Sequence, residues 1–171
     1  MMRAAVITVS DSCFLGQRVD VSGRVVADLL QAHAFHVVSR LVVPDEQGEI
    51  EDALRKQCEG ASLVVTTGGT GISLRDVTPE ATRAVCDRIL DGFAELMRAE
   101  GRKQTQFAPL SRSVSGTRGR CLILSLPGSP GGAKASLEAV ISLIPHALAI
   151  LDGTVTQDHE NHGAVIPGTP A

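Results

Sequence analysis

Ser62-Leu63-Val64-Val65-Thr66-Thr67-Gly68-Gly69-Thr70-Gly71 is the stretch that decides the fold. Ser62–Thr67 is short, apolar and β-branched without polar alternation, the pattern of a strand buried on both faces. The glycines at 68, 69 and 71 then end the strand in a turn whose backbone lies bare. Ala4–Ser10, His36–Val43 and Cys121–Ser125 repeat the strand pattern and are expected to pair with it in parallel. Helical spacing fills the intervals. Ser22–His33 places Val25, Val26, Leu29 and Leu30 on one face, and Glu49–Cys58 does the same with Ile50, Ala53 and Leu54. Thr78-Pro79-Glu80 reads as a helix start, with Thr78 as N-cap, running to about Cys86. Phe93–Glu100 reads as another helix, and Lys134–Leu151 as the last, kinked or broken at Pro145. This alternation predicts an α/β fold: a three-layer α/β/α sandwich with a mostly parallel sheet and right-handed crossovers.

The chain has 171 residues, enough for one domain that buries roughly 70% of its unfolded surface. We place that domain at residues 1–153 and read the Thr-, His-, Gly- and Pro-rich residues 154–171 as a tail. No internal repeat is visible. All four aromatics are Phe, so Val, Leu, Ile and Ala must build the core. A net charge of −3, without clustered Lys/Arg beside stacking aromatics, argues against nucleic acid as a partner. Cys13, Cys58, Cys86 and Cys121 form no C-x-x-C pair and read as reduced thiols. Ala4–Val9 is too short for a signal-peptide core, and Ser142, Pro145 and His146 interrupt Ala139–Leu151 before membrane-spanning length. The expectation is a cytoplasmic protein without a membrane partner.

Ligands of open parallel sheets bind beyond the carboxyl ends of the strands. Four such ends carry polar or Gly-rich sequence: Ser10-Asp11-Ser12, Pro44-Asp45-Glu46, Thr66–Gly71 and Pro127-Gly128-Ser129-Pro130-Gly131. Thr66–Gly71 matches neither G-x-x-x-x-G-K-[ST] nor G-x-G-x-x-G. Its glycines let successive N–H groups approach an anion, and Thr66, Thr67 and Thr70 add hydroxyls. A plain turn would not need the charged stretch Arg75-Asp76-Val77-Thr78-Pro79-Glu80 that follows. Asp45 and Asp76 are of the type that holds Mg²⁺ against phosphate oxygens, although each taken singly reads equally well as a turn residue. Asp20-Val21-Ser22-Gly23 reads as a helix cap. Ser111-Arg112 reads either as an anion contact or as a solvated surface pair. Pro127–Gly132 leads into a helix N-terminus that favours anions. His159 and His162, beside Asp158 and Glu160, are metal-type side chains, but a tail offers no preorganised geometry.

Thr66-Thr67-Gly68-Gly69-Thr70-Gly71 with Arg75-Asp76-Val77-Thr78-Pro79-Glu80-Ala81 resembles the molybdopterin adenylyltransferases of molybdenum cofactor biosynthesis, the MoaB/Mog type that includes the gephyrin G domain. Ser10-Asp11-Ser12, Asp20-x-Ser22-Gly23, Val43-Pro44-Asp45-Glu46, Gly92-Phe93, Glu95, Met97-Arg98, Leu110-Ser111-Arg112 and Leu126-Pro127-Gly128-Ser129-Pro130 follow in the family's order. The resemblance covers residues 4–150 or so and departs at Asp91 and Ala94, where the family usually carries Pro and Gly. It implies Mg²⁺-dependent attack of the molybdopterin phosphate on the α-phosphorus of ATP, releasing pyrophosphate. By the same resemblance Asp45 and Asp76 are the catalytic, metal-associated pair. Thr67, Gly68, Gly69, Thr70 and Gly71 contact nucleotide and phosphate, while Ser10, Asp11, Ser111, Arg112, Pro127, Gly128 and Ser129 line the wider cleft. A homotrimer or hexamer, and contact with the enzyme that next inserts molybdate, are implied in the same way. The alternative is a non-catalytic molybdopterin-binding or scaffold protein of the same fold.

Overall fold

The computed structural model describes residues 2–155; His159, His162 and most of the tail lie outside them. The elements are β1 (Met2–Val9), α1 (Asp11–Phe14), α2 (Val21–Ala32), β2 (Phe35–Val43), α3 (Gln47–Gly60), β3 (Leu63–Thr67), α4 (Thr78–Val85) and β4 (Arg88–Ile89). They continue with α5 (Asp91–Gly101), a 3₁₀ turn (Ala108–Leu110), β5 (Ser115–Arg118), β6 (Cys121–Leu126), α6 (Pro130–Val140) and α7 (Ile144–Leu151). The sheet has six strands in the order β2-β1-β3-β6-β5-β4. β2, β1, β3 and β6 run parallel, and β5 and β4 add an antiparallel edge.

Alternate strand residues feed two cores, as the period of two requires. Ala4, Val6, Leu63, Val65, Leu122 and Leu124 face α2, α5, α6 and α7 through Val26, Leu30, Met97, Leu137 and Ile144. Ala5, Ile7, Val64 and Ile123 face α3 and α4 through Ile50, Leu54, Ala81 and Val85. The fold is therefore the expected three-layer α/β arrangement. Leu63, Val64, Val65, Thr66 and Thr67 are wholly buried, so the strand that decides the fold is central in both directions.

Four expectations need correction. His36–Val43 reads as buried on both faces, but β2 is the sheet edge and most of its residues are only half-buried. Lys134–Leu151 is broken as expected, into two helices bent by 62°, but the break falls at residues 141–143, ahead of Pro145, which sits in the first turn of α7. α6 begins four residues early because Ser129 caps it, its Oγ accepting from the Gly132 amide at 3.2 Å. Thr78 is not the N-cap of α4: Val77 holds that place, and the Thr78 hydroxyl donates instead to the Gly68 carbonyl at 2.8 Å. A tertiary acceptor there outcompetes the local amide.

The antiparallel strands carry no apolar signature. Ser115-Gly116-Thr117 is buried because β4 and β6 flank it, not because of its side chains. All four cysteines are free, Cys121 buried and the others half-buried. Among the described residues no single helix is long and apolar enough to cross a membrane.

A Cβ added at Gly116 would lie 2.5 Å from the Arg88 carbonyl oxygen and 2.6 Å from Cys86 Sγ. Gly116→Ala is expected to lower stability by about 1–3 kcal/mol, read as a lower urea midpoint at unchanged m.

Candidate active site

The Gly-rich turn leaves β3 in conformations that only glycine adopts freely, with φ +105° at Gly68 and +63° at Gly69. Side chains there would strike the Val9 carbonyl and the Thr78 hydroxyl respectively. The turn is fastened from several directions. Gly68 N–H donates to the Leu126 carbonyl at 3.1 Å, and the Thr78 amide donates to the Gly69 carbonyl at 3.1 Å. Thr67 Oγ1 donates to the Pro127 carbonyl at 2.7 Å, which ties the turn after β3 to the turn after β6. Gly128 approaches Gly68 so closely that a Cβ on Gly128 would lie 3.1 Å from the Gly68 Cα.

Arg112 holds the far side. Its amide donates to the Thr70 carbonyl at 2.7 Å. Its Nε donates to the Gly71 carbonyl at 2.7 Å, Nη2 to the Asp76 carbonyl at 2.6 Å, and Nη1 to the Glu80 carboxylate. Arg112 holds the Glu80 carboxyl below its usual range. With its fork occupied by the loop's own carbonyls, Arg112 fastens the turn and lines neither cavity described below.

The acidic groups are arranged around the same turn. Asp11 and Asp45 exchange bonds: Asp11 N–H donates to Asp45 Oδ2 at 2.8 Å, and Asp45 N–H donates to Asp11 Oδ1 at 2.9 Å. Arg75 donates to Asp11 Oδ2 at 2.9 Å and pairs with Glu46 Oε1 at 2.9 Å. The Asp45 amide and Arg75 together hold the Asp11 carboxyl below its usual range. Burial pushes the Asp45 carboxyl up, and the Asp11 and Asp76 charges add to the rise. Asp76 Oδ2 accepts from the Ser73 amide at 2.8 Å. Asp45 Oδ1 and Asp76 Oδ1 accept no bond among the described residues.

Two cavities border this region. One, of about 530 Å³, is lined by Ser10, Asp45, Gly68, Gly69, Asp76 and Gly128 among others, with Thr67 in its wall. The second, of about 460 Å³, is lined by Ser111, Ser113, Pro127, Gly131, Met97 and Arg98 among others. Ser129 belongs to both walls. Asp11, Thr70 and Gly71 line neither; Asp11 faces Arg75, while Thr70 and Gly71 are fastened to Arg112. The structure also brings in residues that sequence reasoning passed over. Ser113 bonds Ser111 Oγ-to-Oγ at 2.7 Å, and the alternation Ser111-x-Ser113-x-Ser115 was the signal for it. Arg18 lines the first cavity from an irregular loop with no sequence signal.

Residues 5–146 match the family described as "Probable molybdopterin binding domain". The chain belongs to that family. The chain is 40% identical over 161 residues to a molybdopterin adenylyltransferase of Helicobacter pylori (strain J99), covering 92% of each chain. It is 41% identical over 133 residues to the Escherichia coli K12 molybdopterin adenylyltransferase, covering 70% of this chain and 68% of that one. Among solved structures, the molybdopterin biosynthesis enzyme MoaB of Thermus thermophilus superimposes with TM-score 0.84 at 48% identity, over 90% of this chain and 98% of that one. Asp91 and Ala94, the two departures from the family pattern, fall inside α5 and line neither cavity. Ala94 packs into the core beside Met97.

Two outcomes follow from this geometry. A lysine at 112 can still meet Glu80 but cannot span the Gly71 and Asp76 carbonyls together. Arg112→Lys is expected to cost about 1–2 kcal/mol in thermal unfolding and to speed amide exchange across residues 69–73. For Asp45, the raised folded value means that the protonated form is favoured in the folded state. Its stabilising contribution is full below the unfolded value and is lost as pH rises through the folded one. Asn keeps an acceptor for the Asp11 amide without the charge, so Asp45→Asn is expected to be more stable than the parent near pH 7. The gain should shrink toward pH 4 in urea titrations, at roughly the ordinary aspartate range.

Proposed function

We propose that this protein transfers the adenylyl group of ATP to the terminal phosphate of molybdopterin, releasing pyrophosphate. The observation that carries the reading is that Asp45 and Asp76 face one cavity across the Gly-rich turn, and that this cavity shares Ser129 with a second. Two neighbouring spaces with a common wall residue suit two substrates that must meet at one phosphorus atom. The adenylyltransferase relatives supply the reaction class.

The transfer needs positioning and charge neutralisation rather than a nucleophilic side chain. A phosphate oxygen of molybdopterin forms the new bond to the α-phosphorus, and the bond from that phosphorus to the β-bridging oxygen breaks. The leaving group carries its electrons away as pyrophosphate, and no proton transfer is required. Gly68 and Gly69 let backbone approach the phosphates closely, and Ser129, at the N-terminus of α6, serves both substrates from the shared wall.

The donor set fits Mg²⁺. Among the described residues no group of three or more His, Cys, Asp or Glu converges. Mg²⁺, however, uses only one or two carboxylates and takes its other ligands from phosphate and water. Asp45 Oδ1 and Asp76 Oδ1 are open for it, and a cation would offset the burial, and the lesser Asp11 and Asp76 charges, that raise Asp45. When bound, the ion neutralises charge on the phosphates and on the departing pyrophosphate.

The non-catalytic alternative rests on Asp91 and Ala94, which α5 absorbs away from both cavities, so we favour turnover. Homo-oligomerisation as a trimer or hexamer belongs to the same proposal. It is supported by the apolar side chains of Ile72, Leu74, Phe107 and Leu110, which are left exposed. A cytoplasmic location and contact with a molybdate-inserting enzyme accompany it.

The purified protein, given ATP, Mg²⁺ and molybdopterin, should form adenylylated molybdopterin with one pyrophosphate released per transfer. Asp45→Ala and Asp76→Ala should each lower kcat by about a hundredfold or more. Full activity in both variants would remove the aspartates from the mechanism.

A further inference from the structure

In the adenylyl-transfer reading a polyphosphate binds beside the two carboxylates of the first cavity, and phosphoryl-transfer sites commonly set a Lys or Arg beside the metal. Most arginines around it are engaged elsewhere. Arg75 is shared between Asp11 and Glu46, and Arg112 between Glu80 and the carbonyls of Gly71 and Asp76. Arg40 reaches Asp20, and Arg98 lines the second cavity with Nη1 toward the Ser111 and Ser113 carbonyls. Among the described residues, Arg18 is the one cationic side chain that lines the first cavity. Its guanidinium donates to nothing among those residues, so five N–H donors are open.

Its position is built rather than incidental. The Arg18 and Gln17 amides both donate to the Ser12 carbonyl, at 3.1 and 2.9 Å, which pins the backbone just after α1. Two residues on, Asp20 caps α2, its Oδ1 accepting from Gly23 N–H at 2.8 Å and its Oδ2 from Thr8 Oγ1 at 2.9 Å. Arg18 is therefore held between two anchors at the cavity rim, on an otherwise short and exposed loop.

We propose that Arg18 binds the β- and γ-phosphates of the nucleoside triphosphate, its planar fork taking two phosphate oxygens opposite Asp45 and Asp76. This rests on the adenylyl-transfer reading. Because the side chain has no partner among the described residues, its loss should leave stability unchanged and appear in nucleotide binding alone.

The test is a calorimetric titration of ATP with Mg²⁺, and of pyrophosphate with Mg²⁺, into the full-length protein, Arg18→Ala and Arg18→Lys, with melting temperatures and steady-state kinetics alongside. We expect Arg18→Ala to weaken both ligands by about tenfold or more, Arg18→Lys to recover part of the loss, and the melting temperature and the KM for molybdopterin to stay put. Equal ATP affinity in parent and Arg18→Ala overturns the proposal, as does a loss confined to molybdopterin, which would assign Arg18 to the pterin phosphate instead. A parent that binds ATP through Arg18 without transferring adenylyl leaves this inference standing and sinks the proposed function.

Discussion

Everything at the ligand edge depends on Thr78 reaching back across ten residues to the turn after β3. Its hydroxyl donates to the Gly68 carbonyl and its amide to the Gly69 carbonyl, so one residue holds two successive peptides of a turn that has no side chains of its own to pack. Thr78 is wholly buried, which removes water as a competitor and makes loss of either partner costly. It also excludes a Cβ at Gly69, because the space is occupied by the Thr78 oxygen.

Once the turn is held, the charges around it become a consequence of its shape. Asp45 and Asp11 lock the ends of β2 and β1 together through reciprocal amide bonds, and Arg75 stretches over both Asp11 and Glu46. The result is asymmetric: Asp11 is stabilised as an anion, while Asp45, more buried and facing like charge, is not. The same rigid framing leaves Asp45 poorly compensated, a common arrangement where a protein is built to receive a cation or reactive group. The exposed Arg75–Asp11 pair itself contributes little to stability, and its effect is to fix where the Asp11 carboxylate points.

Arg112 shows how tertiary partners engage a side chain. An arginine beside a Gly-rich anion loop invites assignment as a phosphate ligand, yet its donors are spent on the carbonyls of Gly71 and Asp76 and on Glu80. Arg18, in a loop without any motif, lines the cavity with its donors open. The difference lies in which partners the fold brings near each side chain, and those partners are 32 to 41 residues away from Arg112 in sequence.

Strand period, helix spacing and the Gly-rich turn were local patterns, and from them the sequence alone determined the α/β class, the four parallel strands and the strand ends at which the candidate residues lie. The motif at Thr66–Ala81 likewise carries the family resemblance in sequence alone. Only the tertiary structure decided that β2 lies at an edge, that Ser115–Arg118 is a strand, and that the break within Lys134–Leu151 falls before Pro145. Only it decided that Thr78 clamps the turn instead of capping α4, and that Arg112 bonds the loop's own carbonyls while Arg18 lines the cavity. The physical reason is common to these cases. Burial by neighbouring strands, and hydrogen bonds between residues far apart in the chain, depend on what packs alongside, and no local window of sequence contains that information.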